Sequence, residues 1–429
     1  MADPATTTTL AFVDVNGALR GKAYSAAAFR AVLSAGRTPL TNLLLAVDPR
    51  DEPITDFSEI GLRSGSGDLM IAPLPDGERP LPWTQGASLC LADLHWADGS
   101  RCGLSSRQLV VRAAERLAAM SLRAVVAFEY EFRLRSAADG APVTSAQSYS
   151  VDGAERLAAF RRRLVEACGE MGIQIDGIHT EAGPGLVELN VAPDDAVRAA
   201  DNAIFLRHAV REVAKALGMS ASFLAKPVAG EEGSSGHIHL SLWDGDDNAL
   251  LGDPPTAVGP RLRFATGGLL EHMPAASLLM NPTINSYKRL VPDFFAPVNR
   301  SWGTDNRTAA VRAIVDGPRT RLEVRRPGAD ANPYLALAAI LVSAADGLDR
   351  ELEPAEPIAG DAANLPAADA PSLPGSLESA LAAFAADPAF REQLGEEFSR
   401  YFETTRRWEL RAWQRAVTAW ELDRYDLIA

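Results

Sequence analysis

The chain reads as an α+β protein, a small strand-rich N-terminal part followed by a larger domain in which helices and strands mix. Three observations predict this. Short strand-like runs with turn signals between them fill residues 10 to about 98. From Leu104 onward, apolar residues recur three or four apart in several stretches, the period of a helix face. Between those stretches lie strands whose polar faces carry Glu, His or Arg in place of the usual Ser, Thr or Lys.

In chain order, residues 1–9 are expected to be a disordered tail, residues 10–102 the N-terminal domain and residues 103–429 the second domain. In AFVDVNGALRGKAY, Asn16-Gly17 between two strand-like runs signals a hairpin. A helix is expected at 26–35, and LPWTQGASLCLADLHWADGS supplies one or two further strands. Residues 105–120 form a helix, followed by the strand holding Glu129 and Glu131. Leu157, Phe160, Leu164, Cys168 and Met171 mark one helix face, which Gly172 ends. IQIDGIHTEAGPGLVELNV is a hairpin with Gly183-Pro184-Gly185 at its tip, and 196–217 is another helix. Residues 281–312 are loop-rich, Asn332 to Leu348 is an apolar helix opening on Pro333, and 353–374 is an extended surface loop. The remaining residues are helical, and Trp408, Trp413 and Trp420 at near-helical spacing mark packing or a subunit interface in preference to a cofactor site.

Composition bounds the function. The 429 residues are 47% hydrophobic and 23% charged, which is ordinary for a globular protein of one or two domains. A net charge of -14 argues against nucleic acid as a partner and favours cationic ones. Cys90, Cys102 and Cys168 have no metal-type spacing and suggest a reducing, cytoplasmic setting. The N-terminus has no signal-peptide pattern and no apolar run approaches a membrane span, so no membrane association is expected.

Four strands carry the chemistry: Phe128-Glu129-Tyr130-Glu131-Phe132, Leu186-Val187-Glu188-Leu189-Asn190, His237-Ile238-His239-Leu240-Ser241 and Arg321-Leu322-Glu323-Val324-Arg325. Alternation puts Glu129 with Glu131, His237 with His239 and Ser241, and Arg321 with Glu323 and Arg325. A single Glu-x-Glu strand is most simply a solvated face. Repetition on four strands points to one pocket, provided the four share a sheet. Glu129, Glu131, Glu181, Glu188 and Glu323 cannot all ionise in one cavity without cations, and oxygen-rich ligands with one His favour Mg²⁺ or Mn²⁺. Arg289, Arg300, Arg307, Arg312, Arg321, Arg325 and Arg326 are available for carboxylate or phosphate, although Arg300 and Arg326, taken alone, read more simply as surface ion pairs. The Gly-rich approach around Gly233 lets backbone come close to a ligand. This equipment suits metal-assisted phosphoryl chemistry.

In order along the chain, FEYEF, the Glu181–Glu188 hairpin, GHIHLSL, NPTINSYKRLVP, NRTAAVR and RLEVRRPGADANPYLALAAIL resemble the glutamine synthetase family from about residue 10 to 425. The resemblance implies a small N-terminal β-grasp domain and a catalytic domain built on an antiparallel half-barrel sheet flanked by helices. It implies ATP as co-substrate and two or more Mg²⁺ or Mn²⁺ ions, one on Glu131, Glu181 and Glu188, the other on Glu129, His237 and Glu323. Arg289, Arg325 and Gly233 would bind glutamate. Arg307 would stabilise the transferring phosphoryl group, so Arg307, Arg325 and Glu323 are the implied catalytic residues. Arg312, Arg321, His239 and Ser241 would line the nucleotide. Family members are hexameric rings, usually stacked as dodecamers, with each site shared between neighbouring subunits.

Two departures bear on the amine. Where the family carries a flap Glu in a Gly-Tyr-Glu-Ala-Pro context, this chain reads Asp293-Phe294-Phe295-Ala296-Pro297, which places Phe295 at that position. The ammonium-site Asp-Gly-Ser-Ser corresponds to the region of Ala46-Val47-Asp48-Pro49-Arg50, which keeps Asp48 and lacks the Ser. An aromatic ring is a poor seat for a small hydrated ammonium ion and a better wall for an amine with a carbon skeleton. The region of the family's modifiable Tyr reads GDAANLPA, with no Tyr. The expectation is therefore an ATP-dependent ligase joining the γ-carboxylate of glutamate to a polyamine, ethanolamine or similar amine. Glutamine synthesis from ammonium and a non-catalytic protein of the same fold are the alternatives.

Overall fold

The Asn16-Gly17 hairpin forms, with Gly17 at φ 78° where a left-handed residue is needed and the Asp14 carboxylate accepting the N–H groups of Asn16 and Ala18. The computed structural model describes residues 6–292 and 295–428. The hairpin joins β1 (Thr7–Val13) to β2 (Leu19–Ser25), and α1 (Ala26–Ala35) follows, capped by Ser25 and ended by left-handed Gly36. β3 (Thr38–Thr41), β4 (Asp68–Pro80) and β5 (Ala87–Trp96) complete a sheet ordered β2-β1-β5-β4-β3, with β1 and β5 parallel and the other pairs antiparallel. This is the expected β-grasp arrangement. Thr7–Thr9 belong to β1 where a disordered tail was expected, because their backbone pairs with both β2 and β5. Residues 1–5 of that tail lie outside the described residues.

The second part begins with α2 (Ser106–Ala119) and β6 (Arg123–Ser136), followed by α3 (Val151–Arg156) and α4 (Ala158–Glu170), which divide the expected single helix at Leu157. Next come β7 (Ile175–Thr180), β8 (Leu186–Val191), β9 (Asp194–Asp195), α5 (Ala196–Ala216), β10 (Met219–Ser222), β11 (Gly236–Asp244) and β12 (Asp247–Asn248). They are followed by α6 (Pro260–Met280), α7 (Ser286–Arg289), β13 (Trp302–Thr304), β14 (Val311–Ile314), β15 (Arg321–Val324) and α8 (Pro333–Asp349). α9 (Leu377–Ala385), α10 (Pro388–Leu394), α11 (Glu396–Arg415) and α12 (Ala419–Tyr425) close the chain. The second sheet runs β13-β14-β15-β11-β6-β8-β7, with β9, β10 and β12 as short additions. It is antiparallel except where β13 lies parallel to β14.

The four strands singled out from the sequence are therefore consecutive neighbours, β15-β11-β6-β8. One face of them buries Val126, Phe128, Tyr130, Phe132, Ile238, Leu240, Leu322 and Val324. Each large side chain removed from water there contributes about 2–3 kcal/mol. α8, whose residues from Pro333 to Leu348 are all buried, packs on α6. The two helices meet at glycines: a Cβ on Gly347 would fall 2.1 Å from the Phe264 carbonyl oxygen, and one on Gly268 2.1 Å from that of Ser343. The two parts of the chain are tied together by hydrogen bonds from Asn332 Nδ2 to the Asp14 carbonyl (3.0 Å) and from the Tyr401 hydroxyl to the Leu45 carbonyl (2.8 Å). Trp413 and Trp420 face solvent in the single chain. Among the described residues no helix is long and apolar enough to cross a membrane.

Candidate active site

The register brings the charged residues together. Glu131 on β6 lies opposite Glu188 on β8, Glu129 opposite His237 on β11, and His239 opposite Glu323 on β15. Directly opposed side chains in antiparallel pairs stand about 5 Å apart, so three successive pairs make one continuous polar floor. Above it is a cavity of about 550 Å³, lined by the carboxylates and His237 together with Arg289, Arg307, Arg312 and Arg325. Gly233 and Phe295 also border it. Gly233 has no room for a side chain, since a Cβ there would lie 2.3 Å from Arg289 Cγ and 2.6 Å from the Ala225 carbonyl oxygen. Glycine thus lets the loop before β11 lie directly on Arg289.

Two carboxylate groups share the cavity. In the first, Glu129 Oε1 is 2.7 Å from His237 Nδ1, and Glu129 Oε2 is 3.4 Å from His239 Nε2. Glu323 takes hydrogen bonds from Arg325 and from Arg312 Nη1 (3.0 Å), and lies 3.5 Å from His237 Nδ1. Burial alone would raise both carboxyls; the two His residues hold Glu129 well below the usual range, and Arg325 with the two His residues lowers Glu323. The second group is Glu131, Glu181 and Glu188. Its cationic neighbour is His179, with Nε2 3.0 Å from Glu188 and Nδ1 3.3 Å from Glu181. Glu131 is raised by burial, and Glu181 by burial and then by the charge of Glu188.

The residues fit divalent cations. His237 Nε2 is buried with no hydrogen-bond partner, a costly state for an imidazole nitrogen unless a further group occupies the site. Two clusters, Glu129/His239/Glu323 and His179/Glu181/Glu188, each bring three donor atoms within 4.8 Å of one another. All six implied metal ligands stand around one cavity, with His179 and His239 beside them.

A second cavity of about 600 Å³ shares Glu129 with the first and is lined by His239, Ser241, Trp243, Asn190 and Arg321. Burial lowers the Arg321 guanidinium, and its Nε donates to His239 Nδ1 (3.3 Å). Arg312, expected beside these residues, instead lines the first cavity, because it is drawn to Glu323 and Asp305. Arg289 is fully buried, donates to Ser235 Oγ and the Arg326 carbonyl, and keeps an unpartnered Nε, with burial lowering its pKa to about 10. It remains a cation at neutral pH. Arg326, read as a surface candidate, is buried and holds the Pro297 and Pro374 carbonyls (2.6 and 2.5 Å). Asp48 borders neither of these cavities; its carboxylate accepts the N–H groups of Arg50 and Glu52 in a turn of the N-terminal part. Phe295, at φ 51° and 64% exposed, borders the first cavity, while Asp293 and Phe294 lie outside the described residues.

The family model for the glutamine synthetase catalytic domain matches residues 103–425. The chain belongs to the glutamine synthetase family. It is a ligase, a glutamate–amine ligase in the broad sense that covers both ammonia and organic amines. It is 33% identical to the glutamate–isopropylamine ligase of a Pseudomonas species, over 98% of this chain and 95% of that one. It is 34% identical to the γ-glutamylethanolamide synthetase GlnA4 of Streptomyces coelicolor, over 97% and 92%. A solved structure described as apo GmaS without ligand superposes with a TM-score of 0.86 at 27% identity, covering 99% of this chain and 97% of that one. Ligases of the glutamine synthetase family use ATP and divalent metal ions.

His179, Tyr149 and Asn190 were not anticipated. Tyr149 stacks on the His179 ring at 4.1 Å, and Asn190 Nδ2 bridges Glu129 (2.8 Å) and Glu188 (3.2 Å). Counting back from the hairpin tip would have found His179, which lies opposite Glu188.

Proposed function

We propose that the chain joins the γ-carboxylate of glutamate to an organic amine, with ATP consumed and a γ-glutamyl phosphate as intermediate. A γ-carboxylate oxygen attacks the terminal phosphorus of ATP and ADP leaves. The amine nitrogen then attacks the γ-carbonyl carbon, phosphate departs, and the nitrogen gives up a proton. Phosphorylation turns a carboxylate, a poor electrophile, into an acyl group with a good leaving group.

Arg289, Arg325 and Arg307 all line the cavity; in this reading Arg289 and Arg325 take the carboxylates of glutamate and Arg307 the phosphoryl group. His239, Ser241 and Arg321 serve the nucleotide from the adjoining cavity. Glu131, Glu181 and Glu188 would hold one Mg²⁺ or Mn²⁺, and Glu129, His237 and Glu323 another. Such ions neutralise phosphate charge and polarise its oxygens.

Phe295 is the observation that carries the choice of amine. It borders the cavity at the position where an acidic residue would suit ammonium. The isopropylamine and ethanolamine acceptors named for two relatives support the same reading. Asp48 borders neither cavity of this site in its own chain, so a role for it beside the amine needs a neighbouring subunit, in keeping with a homo-oligomer of stacked hexameric rings. Three buried, unpaired cysteines suit the cytoplasm.

The test is phosphate release from ATP with glutamate and Mg²⁺, comparing ammonium with diamines, ethanolamine and monoalkylamines at equal concentration. Preference for an organic amine, with the γ-glutamyl amide seen by mass, is expected. Preference for ammonium would overturn the reading.

A further inference from the structure

Phe295 borders two cavities. Beside the main one lies a smaller space of about 220 Å³, lined by Phe295, Ala296, Thr308, Asp361 and Ala363. That is the liquid volume of roughly seven waters, enough for a short alkyl tail and a polar end. Its far wall comes from the stretch expected to be a plain surface loop. The loop is pinned: Asn306 Nδ2 donates to the Ile358 and Gly360 carbonyls (3.0 and 2.8 Å), Asn299 Nδ2 to Ala362 (2.6 Å), and the Ala362 N–H to Thr308 Oγ1 (2.8 Å). Asp361 therefore sits between two anchored residues. Its carboxylate accepts the Ala363 N–H (2.9 Å) and the Asn364 amide (3.0 Å), which hold its carboxyl below the usual range. Among the described residues no Lys or Arg pairs with it.

We propose that this cavity is the acceptor-tail subsite, and that the preferred amine carries a second cationic nitrogen, bound between the Asp361 carboxylate and the Phe295 ring. The inference rests on the organic-amine reading above. An ammonium group beside a carboxylate and an aromatic face gains from both. An alkyl tail keeps only its apolar contact with the ring and lays apolar surface against a carboxylate; a hydroxyl tail gains a hydrogen bond without charge. Selectivity therefore runs 1,4-diaminobutane, then 4-amino-1-butanol, then 1-aminobutane. These three differ only at the distal end, while the attacking nitrogen and its chemistry stay the same.

The experiment measures kcat and KM of the full-length enzyme for these three amines and for ammonium, in wild type, Asp361→Asn and Asp361→Glu. In wild type, kcat/KM for diaminobutane should exceed that for aminobutane about tenfold or more, mostly through KM. Asp361→Asn keeps an acceptor for the Ala363 N–H and should bring that ratio close to one. Asp361→Glu keeps the charge and should retain most of the preference. A ratio unchanged in Asp361→Asn, or a wild type that prefers aminobutane, would overturn the subsite while leaving the amine-ligase reading intact. A wild type that prefers ammonium to all three would overturn both.

Discussion

The two carboxylate groups of the cavity sit on the same sheet yet differ in how their charge is met. Glu129 and Glu323 are compensated by the protein itself, through His237, His239, Arg312 and Arg325. Of Glu131, Glu181 and Glu188, only the last two have an ion-pair partner, the single His179, while Glu131 feels His237 and Arg289 without pairing; Glu131 is pushed up by burial and Glu181 by burial and the charge of Glu188. The first group holds its geometry in the protein alone. The second is under electrostatic strain that an incoming cation relieves, which is how binding free energy is stored in a site.

The largest effect breaks or confirms that contrast directly. Glu131→Gln should lower turnover about a thousandfold, the scale for losing a group that organises transition-state charge. In metal-free buffer the same variant should be more stable than wild type, because it removes a buried like charge while the Ser235 N–H (2.6 Å) keeps an acceptor. Glu129→Gln should lose activity as well but melt earlier, since His237 and His239 lose their carboxylate partner. Thermal unfolding of both variants with and without Mg²⁺ checks the pair, and equal shifts would erase the distinction.

A third trio sharpens the comparison, because it lies away from both cavities. His272 is buried between Asp346 (2.9 Å) and Asp387 (2.7 Å), joining α6 to α8 and to the cap of α10. Burial would lower His272, but the hydrogen bonds to Asp387 and then Asp346 raise it above its ordinary value. Its stabilisation is therefore complete below about pH 6.5 and is lost as pH rises through the raised pKa. His272→Asn should cost about 2 kcal/mol at pH 6, discounted because Asp387 is partly open to solvent, with a smaller deficit at pH 9. Urea unfolding at the two pH values measures this; a deficit that grows with pH would contradict it.

Phe295→Glu is the smallest expected change. It should raise the use of ammonium relative to organic amines about tenfold, roughly 1.4 kcal/mol, by placing a carboxylate where the ring now lies. Competition between labelled ammonium and an organic amine would show it, and an unchanged ratio would remove Phe295 from the selectivity argument.

Much of this arrangement was legible in the chain. The alternation of FEYEF, GHIHLSL and RLEVR places the Glu, His and Arg residues on shared faces, since that depends only on the two-residue period of a strand. Helices with strong apolar spacing appeared within a residue or two of their positions. What the sequence left open was long-range. That β15, β11, β6 and β8 are adjacent, and in a register that sets Glu129 against His237, depends on pairings between residues far apart in the chain, such as Glu131 with Glu188, His239 with Glu323 and Glu129 with His237. That Arg312 borders the first cavity follows from its pairing with Glu323 and Asp305, which local spacing does not reveal. The loop around Asp361 looked featureless because its anchors, Asn299, Asn306 and Thr308, come from another segment.

The most direct test of the central claim follows oxygen. Glutamate labelled with ¹⁸O in its γ-carboxylate is turned over with ATP, Mg²⁺ and the preferred amine, and the phosphate and amide are weighed. Passage through a γ-glutamyl phosphate predicts one ¹⁸O in each phosphate released and one retained in each γ-glutamyl amide. Unlabelled phosphate, with both labels left on glutamate, would mean that ATP is hydrolysed without activating the carboxylate, and the account of the cavity as a ligase site would fall.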